Sequence, residues 1–192
     1  MRKPWKVLQR PGLVLGVIAL FLYVGAEVIA GDTIGLYGRS MGMPLSETKH
    51  MTSYTLAAMI LGYVAGILCI PRFFSQSMAL RGSAVLGVII TIAAVLLPGY
   101  SSLLCIALLG LANALVWPAI WPLAIDGLGS FTKVGSALLI MAIGGGALLP
   151  KLYTKLAVTA SIGHQNAYLI LIPCYLFIGW YAMVGHKRRS WT

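Results

Sequence analysis

Acidic residues are nearly absent from this chain, with four Asp and Glu among 192 residues against fourteen Lys and Arg. Charged residues of both signs make up 9%, well under the roughly 25% of an ordinary soluble domain, and that shortage excludes a water-facing globular surface. Cysteine is scarce too: Cys69, Cys105 and Cys174 each lie inside an apolar run. An odd number without C-x-x-C spacing supports neither a disulfide framework nor a metal site, so the three read as packing residues. His50 and His164 fall in connecting loops with no ligand spacing around them. No Ser/His, His-x-x-x-His or paired-carboxylate arrangement is present, so the chain is not read as an enzyme and no cofactor is expected.

What the chain has in abundance is apolar surface: 59% of its residues are hydrophobic and the mean hydropathy is +0.91. A membrane-spanning helix needs about 20 apolar residues, so a chain of 192 residues holds six of them joined by short loops. Apolar runs place the spans at about 12–36, 52–71, 82–98, 101–125, 134–157 and 166–185. Residues 1–11 form a basic lead-in segment and 186–192 a basic tail. Met1 to Arg10 followed by Gly12 to Val24 imitates a signal peptide, but the apolar stretch runs on to Leu36, longer than a signal sequence needs. The net charge of +10 is dispersed between the runs rather than clustered, which excludes a nucleic-acid-binding face.

Orientation follows from the same charges. Ten Lys and Arg (Arg2, Lys3, Lys6, Arg10, Arg72, Arg81, Lys133, Lys187, Arg188, Arg189) share one side of a six-span chain, and Arg39, Lys49, Lys151 and Lys155 occupy the other. The positive-inside rule therefore predicts a multi-pass inner-membrane protein with both termini in the cytoplasm.

Polarity is concentrated in the first and fourth spans. Glu27 is roughly 20 Å along its helix at 1.5 Å per residue, where a carboxylate must face a cavity or a partner, or be protonated. Asp32, near the outer end, is expected to be hydrated or paired with Arg39. Asn113, Trp117 and Trp121, at i, i+4 and i+8, are expected to form one strip along a helix. An amide donates to and accepts from hydroxyls while an indole packs on C–H faces, so the strip suits a sugar. It equally suits interhelical hydrogen bonding by Asn113, with tryptophans filling space beside a kink. Pro118 and Pro122 remove backbone donors in mid-span, so this helix is expected to bend. Gly144-Gly145-Gly146, Gly31-x-x-x-Gly35, Gly62-x-x-x-Gly66 and Gly110-x-x-x-Ala114 read as close helix-packing faces. Two sets of three helices, each led by a polar one, also match inverted-repeat transporters, which bind substrate between repeats near mid-membrane.

Several motifs fall in order along the chain: Tyr23-Val24-Gly25-Ala26-Glu27-Val28, Gly110-Leu111-Ala112-Asn113-Ala114, Pro118-Ala119-Ile120-Trp121-Pro122-Leu123 with Gly127-Leu128-Gly129, and Gly135-Ser136 before the glycine triplet. Together they resemble the C-terminal half of sugar:proton symporters of the fucose, galactose and glucose group, within the major facilitator superfamily. The resemblance implies an all-α membrane fold of six transmembrane helices, one half of the twelve-helix transporter, built from two three-helix inverted repeats. Residues 1–11 then correspond to the end of the cytoplasmic linker between halves. It further implies symport of a neutral monosaccharide with protons, bound by Glu27, Asn113, Trp117 and Trp121, in partnership with an N-terminal six-helix half that carries the coupling carboxylates. One departure is Gly62-Tyr63, where many members have Gly-Arg. The other reading of the chain is a non-transporting membrane remnant or interaction subunit.

Overall fold

Every apolar run becomes a helix, because a bilayer offers backbone groups no other partners. The computed structural model describes residues 4–70 and 72–191. Arg2 and Lys3 of the basic lead-in, Pro71 and Thr192 lie outside them, as do the side chains of residues 4–6. Six helices are long and apolar enough to cross a membrane: α1 (Pro11–Asp32), α2 (Leu45–Cys69), α3 (Gln76–Leu96), α4 (Gly99–Ile125), α5 (Gly129–Ala157) and α6 (Gly163–Met183). Local chemistry sets their ends. Pro11 stands in the first turn of α1, where its missing N–H is not needed. The Ser75 hydroxyl accepts the Met78 amide at 3.2 Å, which starts α3 ahead of its apolar run. Gly99, at φ 58°, makes the tight turn from α3 into α4 directly after Pro98.

The bend expected in α4 is present. One helical segment ends at Asn113 and a second begins at Val116, with a turn at Ala114 and Leu115. Pro118 has no N–H for the Ala114 carbonyl, and the break places Pro118 in the first turn of the second segment, where the lack is harmless. α5 is likewise divided, with a 3-10 turn at Ala142–Gly144 and an α-helix from Gly145.

The packing interlaces the two triplets. α1 packs on α5 and α6, α4 packs on α2 and α3, α1 meets α4 in the middle, and α3 meets α6. The leading helix of each triplet thus packs on the second helix of the other, and α1 and α4 form the centre. Of their most apolar windows 56% and 61% is buried, against 17% and 22% for α2 and α5. Three helices per triplet is an odd number, so the second triplet enters the membrane from the side opposite the first, as an inverted repeat does.

Glycines sit at the tightest crossings. A Cβ at Gly145 would enter the Phe21 backbone, and one at Gly110 the Thr55 backbone, while Gly62 and Gly66 face Ala114 and Leu115. The Gly31-x-x-x-Gly35 reading needs correction, since a Cβ at Gly31 would meet nothing within 4 Å. At the end of the bundle opposite the termini, polar side chains tie several helices together. Gln165 Nε2 donates to the Leu97 carbonyl at 2.7 Å and to the Ala94 carbonyl at 3.0 Å, satisfying carbonyls that the end of α3 leaves free. Tyr37 and Ser102 share a hydroxyl contact of 2.7 Å, and Thr33 and Tyr168 one of 2.9 Å.

Candidate functional site

Glu27 is half-buried on α1. Tyr23, one turn earlier on the same helix, is an electrostatic neighbour of the carboxylate. Tyr63 of α2 is a neighbour of both Tyr23 and Glu27. Among the described residues the only ion pair is Arg189 with Asp126, at 2.6 Å, so Glu27 faces phenols and rings rather than a cation. Asp32 is exposed and, within the same residues, has no ion pair with Arg39.

From α4, the Trp117 ring meets Tyr23 edge-on, with centroids 6.4 Å apart, and Trp121 stacks on Trp117 at 5.8 Å with planes 20° apart. Both indoles are half-buried. Glu27, Tyr23, Tyr63, Trp117 and Trp121 therefore form one patch shared by α1, α2 and α4. Its chemistry is amphipathic: a carboxyl and phenols exchange hydrogen bonds, and the indole pair offers a flat apolar surface.

Asn113 lies behind this patch, through Tyr175, a close electrostatic neighbour of Glu27 and Tyr23. Asn113 has no exposed surface, and its Oδ1 accepts the Tyr175 hydroxyl of α6 at 2.9 Å. Its Nδ2 is buried without a partner among the described residues. Of the strip expected from spacing, Asn113 is engaged by α6, whereas Trp117 meets Tyr23 of α1 and Trp121 stacks on Trp117. The Tyr175 ring is seated over Gly87 of α3, where a Cβ would come within 2.6 Å of it.

Sequence reasoning placed Glu27 and the tryptophans in one region but missed Tyr23, Tyr63 and Tyr175. Tyr23 was one turn from Glu27 and Tyr63 stood at the departure from the family pair, so both carried a signal. Tyr175, in a wholly apolar run, carried none.

Six helices in two interlaced triplets, with polar groups gathered on the leading helices, constitute one half of a major facilitator fold. The solved E. coli fucose:proton symporter superposes on this chain with a TM-score of 0.88 at 24% identity, over 97% of this chain and 45% of that one. A solved structure of that transporter in the outward conformation gives a TM-score of 0.85 over 94% of this chain. No family model matches the chain. It is 34% identical over 189 residues to the glucose/galactose transporter of Brucella abortus, across 97% of this chain and 45% of that protein. It is 27% identical over 181 residues to a putative glucose/galactose transporter of Helicobacter pylori, and 28% over 137 residues to the L-fucose-proton symporter of Haemophilus influenzae. The chain has the fold of one half of these solved transporters and is a homologue, in sequence, of glucose/galactose transporters and L-fucose-proton symporters, and it is an integral, multi-pass membrane protein. It spans less than half the length of these relatives.

Proposed function

We propose that the chain is the C-terminal six-helix half of a sugar:proton symporter of the inner membrane, with both termini cytoplasmic. A neutral monosaccharide binds between the patch on α1, α2 and α4 and an N-terminal half that carries the coupling carboxylates. The patch itself is the observation that carries this reading: a half-buried carboxyl with no ion pair among the described residues, beside phenols and two stacked indoles. In this reading Glu27 hydrogen-bonds sugar hydroxyls and Trp117 and Trp121 pack on its C–H face. Asn113, one turn before Trp117, supports the wall from beneath through Tyr175. The ten-to-four distribution of Lys and Arg supports the orientation. The relatives' names, glucose/galactose transporter and L-fucose-proton symporter, support the substrate class.

Alternating access needs two bundles rocking about a shared site, and six helices supply one. Uptake of radiolabelled sugar is therefore expected in cells that express this chain with a complementary six-helix half, and not in cells that express either alone. Trp117→Ala is expected to weaken sugar affinity about tenfold, the effect of roughly 1.4 kcal/mol, from loss of ring stacking. Proton-driven uptake by the chain alone in liposomes, or parent-like affinity in the Trp117→Ala assembly, overturns the reading.

A further inference from the structure

A groove with a volume of about 210 Å³ runs along the bundle between α3 and α6. Val85, Val88 and Ile89 form one wall, and Leu176, Trp180 and Met183 the other. Val85, Ile89 and Leu176 are each 59% exposed, so the groove opens sideways to the bilayer. It lies on α3 and α6, whereas the sugar patch lies on α1, α2 and α4. The groove starts at the end of the bundle where the termini lie, because α3 begins and α6 ends there, and it runs toward mid-membrane.

Two arginines stand at its head. Arg81, one turn before Val85 on α3, donates from Nε to the Ala182 carbonyl of α6 at 3.3 Å, beside Met183. Arg188 holds its guanidinium over the Trp180 ring, 5.8 Å from the centroid. Arg188 is fixed there by backbone as well: its carbonyl accepts the Gly12 amide at 3.2 Å, and the next residue, Arg189, donates to the Asp126 carboxylate at 2.6 Å. Of the four acidic residues in the chain, Asp126 is the one on this side of the bundle, and Arg189 occupies it. Trp180, at the mouth, is the residue type that marks the level of lipid headgroups.

We infer that this groove binds one anionic phospholipid of the leaflet facing the chain termini. The headgroup phosphate is held between Arg81 and Arg188, and one acyl chain lies along Val85, Ile89 and Leu176. The apolar groove alone would accept the tail of any lipid. Arg81, bonded to the carbonyl beside Met183, and Arg188, over the Trp180 ring, put two positive charges next to groove residues and favour a net negative headgroup, as basic pockets between transmembrane helices do.

The test is native mass spectrometry of the purified chain, released from micelles that contain equimolar phosphatidylglycerol and phosphatidylcholine. The chain is expected to retain phosphatidylglycerol in preference. Arg81→Gln with Arg188→Gln should reduce that preference on the order of tenfold or more, and Val85→Trp, which fills the groove, should lower retention of both lipids. Lys151→Gln with Lys155→Gln, at the opposite end of the bundle, should change nothing. Should Arg81→Gln disturb folding through its loss at Ala182, exposed Arg188 carries the test alone. Equal retention of the two lipids by the parent, or undiminished preference in the folded arginine variants, overturns the inference. So does equal loss in the Lys151 and Lys155 variant, which would mean bulk charge. Displacement of the lipid by soluble glycerophosphate would reassign the arginines to a free phosphate.

Discussion

Asn113 is the most constrained polar side chain in the bundle, because its two ends are in opposite states. Oδ1 is satisfied by Tyr175, and Nδ2 is enclosed with no partner among the described residues. Stranding a buried polar atom costs about 1–3 kcal/mol, whereas replacing both members of a pair with apolar groups of similar shape is nearly neutral. Tyr175→Phe is therefore expected to lower stability by about 1–3 kcal/mol, and combining it with Asn113→Leu should restore most of the loss. Thermal unfolding of the detergent-solubilised chain reads this, and additive losses in the double variant would refute the pairing. Glu27 calls for a different measurement. Glu27→Gln keeps the shape of the side chain and removes its proton, so any pH dependence of sugar binding that originates in this half should disappear in the assembled transporter. An unchanged pH profile would move that dependence to the other half.

At the scale of helices, glycines decide which crossings are close. Because a Cβ at Gly110 or Gly145 would enter the backbone of a neighbouring helix, Gly110→Ala and Gly145→Ala are expected to cost about 1–3 kcal/mol by overpacking. Gly31→Ala and Gly82→Ala meet nothing within 4 Å and should be neutral, or stabilising by about 0.5–1 kcal/mol through helix propensity. Unfolding midpoints ranked in the reverse order would show that the crossings are looser than described. The sequence predicted six helices and the bend of α4 correctly, since apolar length and a missing N–H are local properties. It did not disclose that Asn113 is taken up by Tyr175 while Trp117 meets Tyr23, because helical spacing says which residues share a face and not which neighbour each one finds. Nor did it disclose Gln165 at the end of α3 or the seat of Tyr175 on Gly87. Each joins residues far apart in the chain, and neither has a periodic pattern to announce it.

For the whole molecule, the orientation proposed from charge has a direct check. In a variant in which Cys69, Cys105 and Cys174 are replaced, single cysteines at Ser46 and Ser190 should react with membrane-impermeant maleimide from opposite sides, and labelling from one side would sink the topology. The interlacing of the triplets also has a consequence in time. α1 finds its partner in α5, yet nearly a hundred residues separate Asp32 from Gly129. At about 5–20 residues per second, the ribosome takes about 5–20 s to supply α5 after α1 has emerged. For that interval α1 waits in or beside the translocon with the face around Phe21 and Gly25, which fits Gly145 and Leu149 of α5, empty. Birth order runs against packing order here, and an insertase that shelters the first helix until the fifth arrives would speed maturation more than one that releases each helix as it is made.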